Sequence, residues 1–522
     1  MAENAPRLSC LPANLLDRNL AILSERPGVP GIVLILVLSL MFIRAGLFPG
    51  TGGDDGEQLI FSQFFDWGYQ VRNPPLYTWL VIALSSVTGP TLWAVNIVKF
   101  TLLAGMYLML WRAARYVIQD RRLAALAGLA PVLLYYIAWE AVTGFSHTVL
   151  AASLYAALIW VVLRLRDQAT ARLSDYLLLG LVIGLGAMAK YAFWIFLVSL
   201  LATSMLDTVL RRRLLTWRLL LSFAVATAVA VPHYLWLFDR LDILSGQAGQ
   251  TVAAGGLSFK GLGHGVKAAV GFLAPFWLIA LVCFPAAFKP VPDSITARHH
   301  PMIRVIGWQM VLILAGTAIG TLLLPEFRIR THYMTVLLLF PIWIMARAEA
   351  TVPNERRIGA FGAVLSLALL AGPVGLTGKY LFEPLTCKRC QHHVPYDPLS
   401  EKIQDMGFKG GTIVASWHPD PLPGNLRAVF PHTRVVSAKH KDVIPPLKKN
   451  ASGQCLIVWS ADAARDNRSP AVAAANEILH AGISLDTKQQ LITAPLAGIP
   501  SLTQGKAAIL GVILADGRGN CR

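Results

Sequence analysis

Charge is scarce in this chain: Asp, Glu, Lys and Arg make up only 14% of its 522 residues, where soluble proteins run near ~25%. That scarcity excludes an ordinary soluble enzyme. Acid is scarcer than base, with 29 Asp and Glu against 46 Lys and Arg, so the net charge is +17. Nor is a cleavable leader expected, because residues 1–28 lack a compact basic start, an apolar core and a small-residue cleavage site. Internal repeats of the kind found in many transporters are missing, as are low-complexity tracts. Cysteine is limited to six residues.

Apolar residues fill the chain instead, at 55% of the total and a mean hydropathy of +0.55. They gather in blocks of about 15 to 22, the length that suits a bilayer span. The fold class predicted is therefore a polytopic α-helical membrane protein, with eleven spans near 29–48, 91–112, 123–139, 147–164, 174–189, 191–209, 219–238, 266–288, 303–324, 332–347 and 357–376. Arg7, Arg18 and Arg26 precede the first block, so residues 1–28 read as a cytoplasmic segment before an uncleaved anchor. Eleven spans also put the alternate loops carrying Arg121 and Arg122, Arg164 and Arg166, and Arg211 to Arg213 inside, where Lys and Arg are retained. Orientation thus explains the pI of 9.8, and no nucleic-acid partner is expected. The apolar stretch 74–87 is left out of the count, because adding it would turn every one of those clusters outward. It is predicted to be a juxtamembrane or re-entrant segment on the outer face.

After residue 376 short β-branched runs at 411–416, 433–438, 455–460 and 507–514 alternate with polar helical stretches. They predict a soluble α/β domain over 380–522, which an odd span count places in the periplasm of a bacterium, outside the inner membrane. Four of the six cysteines lie there. Cys387 and Cys390, followed by His392 and His393, could be a metal site, but thiols outside the cytoplasm oxidise and no second ligand pair is evident. A local disulfide is the reading adopted. Cys455 and Cys521 are a second candidate pair, while Cys10 and Cys283 read as unpaired.

Function is sought in the predicted outer loop, 49–90. Asp54, Asp55 and Glu57 place three carboxylates within four positions at the membrane surface. A helix starting near Asp54, with that residue as its N-cap, puts Asp54 and Glu57 on one face and lets Leu59, Phe61 and Phe65 dip toward lipid or protein. Partial desolvation raises a carboxylate's pKa and makes it a better base for a hydroxyl; the plainer alternative is a solvated helix start whose acids complement the dipole. Two cationic features also sit on the predicted outer side. Arg328 and Arg330 precede His332 in a late loop, and Lys190, followed by Tyr191, falls between two apolar blocks. A phosphate-bearing lipid would answer such cations, although snorkelling to headgroups would as well.

With these residues in view, the chain resembles the GT-C glycosyltransferases of the protein O-mannosyltransferase and lipid A aminoarabinose transferase type, a family 39-like pattern. Their first outer loop carries an Asp-Glu pair, a Gly-Tyr about fourteen residues on, and a Pro-Pro-Leu segment. Here Asp54-Asp55, Gly68-Tyr69 and Asn73-Pro74-Pro75-Leu76-Tyr77 occupy those places, and Gly184-Leu185 before Lys190-Tyr191 is similar to the family's Gly-Leu-x-x-x-x-Lys-Tyr. Phe327 to His332 looks like its late basic loop. Two departures stand out: Asp55 replaces the Glu of the pair, with Glu57 two residues later, and the second outer loop offers Glu140 or His147 where relatives often carry an acid.

The resemblance implies a GT-C-like catalytic domain over 29–376 that moves one sugar, with inversion, from a polyprenyl-phosphate donor to a lipid or glycan acceptor such as lipid A or lipopolysaccharide core. Asp54, Asp55 and Glu57 are the implied catalytic acids. Lys190, Tyr191, Arg328, Arg330, His332, Arg72, Tyr77, Glu140 and His147 are the implied substrate-binding residues. No metal and no cofactor are expected, and membrane lipids are the remaining partners. A lipid or polysaccharide transporter, or flippase, is the competing reading, to be marked by paired broken helices in two related halves. A periplasmic binding or assembly subunit, with the terminal domain as its working part, is the third.

Overall fold

The computed structural model describes residues 13–25, 27–168, 170–241, 259–290, 300–323, 329–388, 390–417, 421–447, 453–461 and 466–522. Arg7, Cys10, Arg26, Phe327 and Arg328 lie outside those residues. Among the described residues six helices are long and apolar enough to cross a membrane: Gly28–Leu47, Leu92–Val117, Ser146–Asp167, Arg218–Phe238, Met302–Leu323 and Glu355–Thr386. Two bent pairs, Phe193–Ser204 with Thr208–Leu214 and Thr331–Leu337 with Phe340–Ala350, are each long and apolar enough when taken together, which makes eight if each pair is one span. The remaining three predicted blocks are helical but short or interrupted. Block 174–189 forms Leu173–Ala187. Block 123–139 breaks after Arg121–Leu129 into 3-10 and π turns at Pro131, and block 266–288 divides at Pro275 into Phe259–Leu273 and Phe276–Cys283. Proline supplies no N–H to the helical ladder and crowds the preceding turn, so both breaks follow from the residue present. The stretch kept out of the count forms Leu76–Thr88, thirteen residues, about 20 Å of helix against the ~30 Å of a bilayer core.

The chain divides into two compact units. The first comprises Met1–Leu38, Thr101–Val142 and His147–Gly372; the second comprises Ser39–Phe100, Thr143–Ser146 and Pro373–Arg522. In the first unit 89% of the apolar window of Ser146–Asp167 is buried, against 17% for Arg218–Phe238. A helix apolar on every side is either a core element or a lipid-facing one, and these two are one of each. Leu173–Ala187 lies against Arg218–Phe238 at Gly180 and Gly184, where an added Cβ would come 2.4 Å from the Ser222 carbonyl oxygen and 2.8 Å from Val229. Small residues permit such close approach where no hydrophobic force from water drives helices together. Tyr176 seals the contact, its carbonyl accepting from Ser222 Oγ at 2.7 Å.

The second unit contains a five-stranded sheet, with β1 Gly411–Ala415, β2 Arg434–Ser437, β3 Gln454–Ser460, β4 Gln490–Pro495 and β5 Ala507–Asp516 in the order β2-β1-β3-β5-β4. The first three strands are parallel and β5 runs antiparallel to both β3 and β4. Four strands fall on the predicted runs; β4 is additional, and its alternately exposed residues gave little apolar signal. Buried residues fill both faces, Ile413, Leu456 and Leu510 on one and Val414, Ile457 and Ile513 on the other. Helix Leu422–Val429 makes the β1 to β2 crossover, and it crosses helix Gly53–Phe61 at paired glycines. A Cβ on Gly424 would stand 2.3 Å from the Gly56 carbonyl oxygen, and one on Gly56 would stand 2.6 Å from Pro421. Polar ties fix the same junction: Thr51 N donates to Asn425 Oδ1 at 2.9 Å. The Gln63 amide exchanges two 2.8 Å bonds with the main chain of Val435 on the edge strand β2. The acidic loop and the sheet therefore belong to one unit.

Disulfides join Cys387 to Cys390 and Cys455 to Cys521, and Cys283 is a buried free thiol. The second bridge closes a span of 66 positions, for which chain entropy gives a stabilisation of roughly 4 kcal/mol. Replacing Cys455 and Cys521 together by Ser is expected to lower the urea concentration at which proteases cut within 405–522. Equal sensitivity of variant and wild type would remove that role.

Candidate active site

Helix Gly53–Phe61 begins one residue before Asp54, with Gly52 as its N-cap and no side-chain cap. The predicted Asp54 N-cap is corrected: Asp54 and Asp55 stand in the first turn, where carboxylates complement the exposed N–H groups of the helix start. Two glycines free of side-chain bulk begin the helix tightly, and Leu59, Ile60 and Phe61 are buried as its anchoring face. Phe65, by contrast, is exposed and stacks on Trp79 at 5.2 Å.

The three carboxylates have three different surroundings. Asp55 is buried, accepting from Lys99 Nζ at 2.6 Å and from Ser146 Oγ at 2.7 Å; Lys99 itself has 0% side-chain exposure. Glu57 is buried too, with Lys439 Nζ at 2.9 Å, His440 Nε2 at 3.3 Å and Arg72 Nη2 at 3.4 Å from its Oε1. Asp54 alone of the three is only partly buried. Desolvation pushes the Glu57 carboxyl up, but hydrogen bonds and charge from His440 and Lys439 outweigh it and hold the group down at about 2. A carboxyl so lowered adds stability in full above its ordinary range near ~4.5, and that contribution is lost as pH falls toward about 2. Wild-type protein should therefore lose more thermal stability than Glu57→Gln between pH 5 and pH 3 in detergent. Parallel pH curves for the two would refute the ion-pair role.

The Gly68-Tyr69 pair shapes this loop. Tyr69 stacks on Phe61, its hydroxyl donates to the Phe64 carbonyl at 2.7 Å, and that same hydroxyl oxygen accepts from Asp66 N at 3.1 Å. Tyr77 is fully buried with its hydroxyl 3.5 Å from the Val95 carbonyl oxygen. Arg72 is mostly exposed and bonds Gln70 as well as Glu57.

The other predicted residues belong to the first unit. Lys190 donates to Thr148 Oγ1 at 2.8 Å and lies 5.4 Å from the centre of the Tyr333 ring. His332 stands 4.4 Å from that ring and 6.0 Å from Tyr136. Tyr191 meets His233 at 3.2 Å, and Arg330 is exposed at the start of the turn carrying His332. Glu140 accepts from the Tyr135 hydroxyl at 3.1 Å, and His147 is buried at the start of Ser146–Asp167. Lys190, His332 and Tyr333 thus form one cluster. The same unit holds an apolar cavity of about 520 Å³, lined by Leu262, Val266, Val270, Trp277, Leu314 and Phe340. Sequence reasoning missed Lys99, Ser146, Lys439, His440 and Thr148 as parts of these clusters. Only Lys99 carried a signal: a lone lysine in an apolar block calls for a partner.

The family profile for dolichyl-phosphate-mannose-protein mannosyltransferases matches residues 72–236. Two lipopolysaccharide core galacturonosyltransferases of Rhizobium johnstonii, RgtA and RgtB, are 28% and 27% identical over 410 residues, covering 78% of this chain and 81% of theirs. The chain resembles the GT-C glycosyltransferases. In fold it is similar to ArnT from Cupriavidus metallidurans bound to undecaprenyl phosphate, with a TM-score of 0.60, 13% identity, and coverage of 92% of this chain and 97% of that one. The GT-C profile begins at Arg72 and so leaves out the acidic helix. That helix departs from the GT-C pair by its second Asp, and the geometry gives the departure a setting, because Asp55 is enclosed by Lys99 and Ser146 while Glu57 reaches the sheet side of the unit.

Proposed function

We propose that this chain is an inverting glycosyltransferase that moves a single sugar from a polyprenyl-phosphate donor to an envelope acceptor at the periplasmic face of a bacterial inner membrane. The observation that carries the proposal is the separation of roles among the three acids. Asp55 and Glu57 are each buried against a cation, whereas Asp54, in the first turn of the same helix, is only partly buried. In this reading Asp54 takes the proton of the acceptor hydroxyl while its oxygen attacks the anomeric carbon from the face opposite the phosphate. The bond from that carbon to the phosphate oxygen breaks, and polyprenyl phosphate departs with the electron pair. Lys190, Arg328 and Arg330 stabilise its charge. A phosphate ester anion is a good leaving group, so one base and several cations suffice without the acid and base pair of a glycosidase.

The donor class is supported by the lipid in the related ArnT structure and by the apolar cavity, which has the lining a prenyl chain requires. The acceptor is taken to be lipopolysaccharide core, as the names of RgtA and RgtB suggest. The eleven-span count and periplasmic placing of 380–522 belong to the same proposal, supported by two disulfides that form in an oxidising compartment. Mass spectrometry of envelope glycolipids from cells with and without the gene tests it. Loss of one sugar residue from the core is expected; identical glycolipids in both strains would overturn the reading.

A further inference from the structure

A polar cavity lies at the far end of the helix that carries Thr148. Between Thr148, which meets Lys190, and Arg164 the helix Ser146–Asp167 rises about 24 Å, so this cavity and the Lys190 cluster stand at opposite ends of one helix long and apolar enough to cross a membrane. The cavity has a volume of about 420 Å³ and is lined by Arg112, Arg115, Tyr116, Trp160 and Asp167. Spacing along the chain explains how they meet. Arg112 and Arg115 stand three apart and Trp160 and Asp167 seven apart, so each pair shares one face of its helix. Aromatic rings hold the guanidinium groups: that of Arg112 is 5.9 Å from the centre of the Trp160 ring, and that of Arg115 is 5.4 Å from the centre of the Trp111 ring. Trp and Tyr collect at the headgroup level of a bilayer, which sets the depth of the cavity.

The charges in this cavity are not used within the protein. Among the described residues the side chains of Arg112, Arg115 and Asp167 make no hydrogen bond and no ion pair, whereas the neighbouring Arg164 and Arg166 are bound to Asp175 at 3.2 Å and to Asp207 at 3.1 Å. Cations at the C-terminal end of a helix complement its dipole, so the two arginines by themselves need no ligand. Asp167 does not fit that account. It is the last residue of its helix, where a carboxylate is disfavoured. A partner that brings a phosphate to the arginines and a charged N–H donor to the aspartate satisfies both signs at once, Arg112 and Arg115 gripping phosphate oxygens with their planar forks. We propose that this cavity binds a phospholipid with an ethanolamine headgroup, its phosphate on Arg112 and Arg115 and its ammonium on Asp167. Ethanolamine is singled out by its N–H groups: a choline headgroup has the same charges and no N–H, and a glycerol headgroup offers the carboxylate only neutral hydroxyls. The soluble headgroup without its chains is the competing occupant. The site stands whether or not the glycosyl-transfer reading does.

Native mass spectrometry of the full chain, stripped of lipid in detergent and titrated with dioleoyl phosphatidylethanolamine, phosphatidylcholine or phosphatidylglycerol, reads the dissociation constants. Wild type is expected to bind the ethanolamine lipid about 10-fold or more tighter than the choline lipid, the effect of one charge-assisted hydrogen bond. Asp167→Asn should bring that ratio close to unity while leaving the choline lipid bound. Replacing Arg112 and Arg115 together by Met should weaken both lipids by about 10-fold to 100-fold. A ratio unaltered in Asp167→Asn would overturn the proposal, as would equal wild-type affinity for the ethanolamine and choline lipids or tighter binding of the glycerol lipid. The wild-type comparison needs no substitution, so it decides even where a variant fails to fold. Glycerophosphoethanolamine, the headgroup without chains, is titrated alongside. Binding as tight as that of the intact lipid would make the cavity a site for a soluble phosphate ester and overturn the lipid assignment.

Discussion

Purified Asp54→Asn is expected to retain its fold and to lose roughly 10²- to 10⁴-fold in turnover, the range attached to a positioned general base. The substitution keeps the size of the side chain and its hydrogen-bonding reach but removes its ability to hold a proton. Asp54 is suited to the test because it is only partly buried and Asn has the same size and shape. Its position in the first turn also means that the helix N-terminus favours the ionised form, the form a base must start from. The loss should appear in kcat, with KM for the donor little altered, because donor binding in this reading rests on cations elsewhere. Turnover near that of wild type would take Asp54 out of the mechanism and leave the acidic helix a structural element.

The second large effect is expected at Lys99. Its ammonium and the Asp55 carboxylate meet at 2.6 Å with side-chain exposures of 0% and 1%. Removing one member of such a pair leaves the other charged and uncompensated, which costs about 3–5 kcal/mol. Lys99→Met should therefore lower the melting temperature in detergent sharply and abolish activity. Ser146 continues to donate to Asp55, but one hydroxyl does not replace a full charge. The double variant Lys99→Met with Asp55→Leu separates stability from function. With both charges gone only the Ser146 hydroxyl loses its acceptor, and much of the lost stability should return because replacing a buried pair is often neutral. Activity should not return if Asp55 orients the start of the acidic helix. A double variant as unstable as Lys99→Met would show that packing, rather than the stranded charge, dominates there.

Much of the membrane part was legible before any coordinates, because an apolar block long enough to cross a bilayer has few other uses. Each predicted block contains helix, and two of those that depart from a single span break at a proline, Pro131 and Pro275. The acidic helix was legible too, since Asp54, Asp55 and Glu57 lie within four positions of one another. Its exact start was not: Gly52 takes the cap in place of Asp54, and an extended glycine serves there nearly as well as a side-chain acceptor. Strand β4 gave no clear apolar run because four of its six residues are exposed.

What the sequence determined by itself is the class of molecule, the family pattern and the list of acids and cations, because hydrophobicity, charge and short spacings act along the chain. The tertiary structure decided how the acids divide. Asp55 turns to Lys99, forty-four positions on, and Glu57 to Lys439, 382 positions on. Neither pairing follows from local pattern: an ion pair needs only that two charges be enclosed together, and which charges are enclosed together is settled by how distant segments pack, here by two glycines that let one helix rest against another.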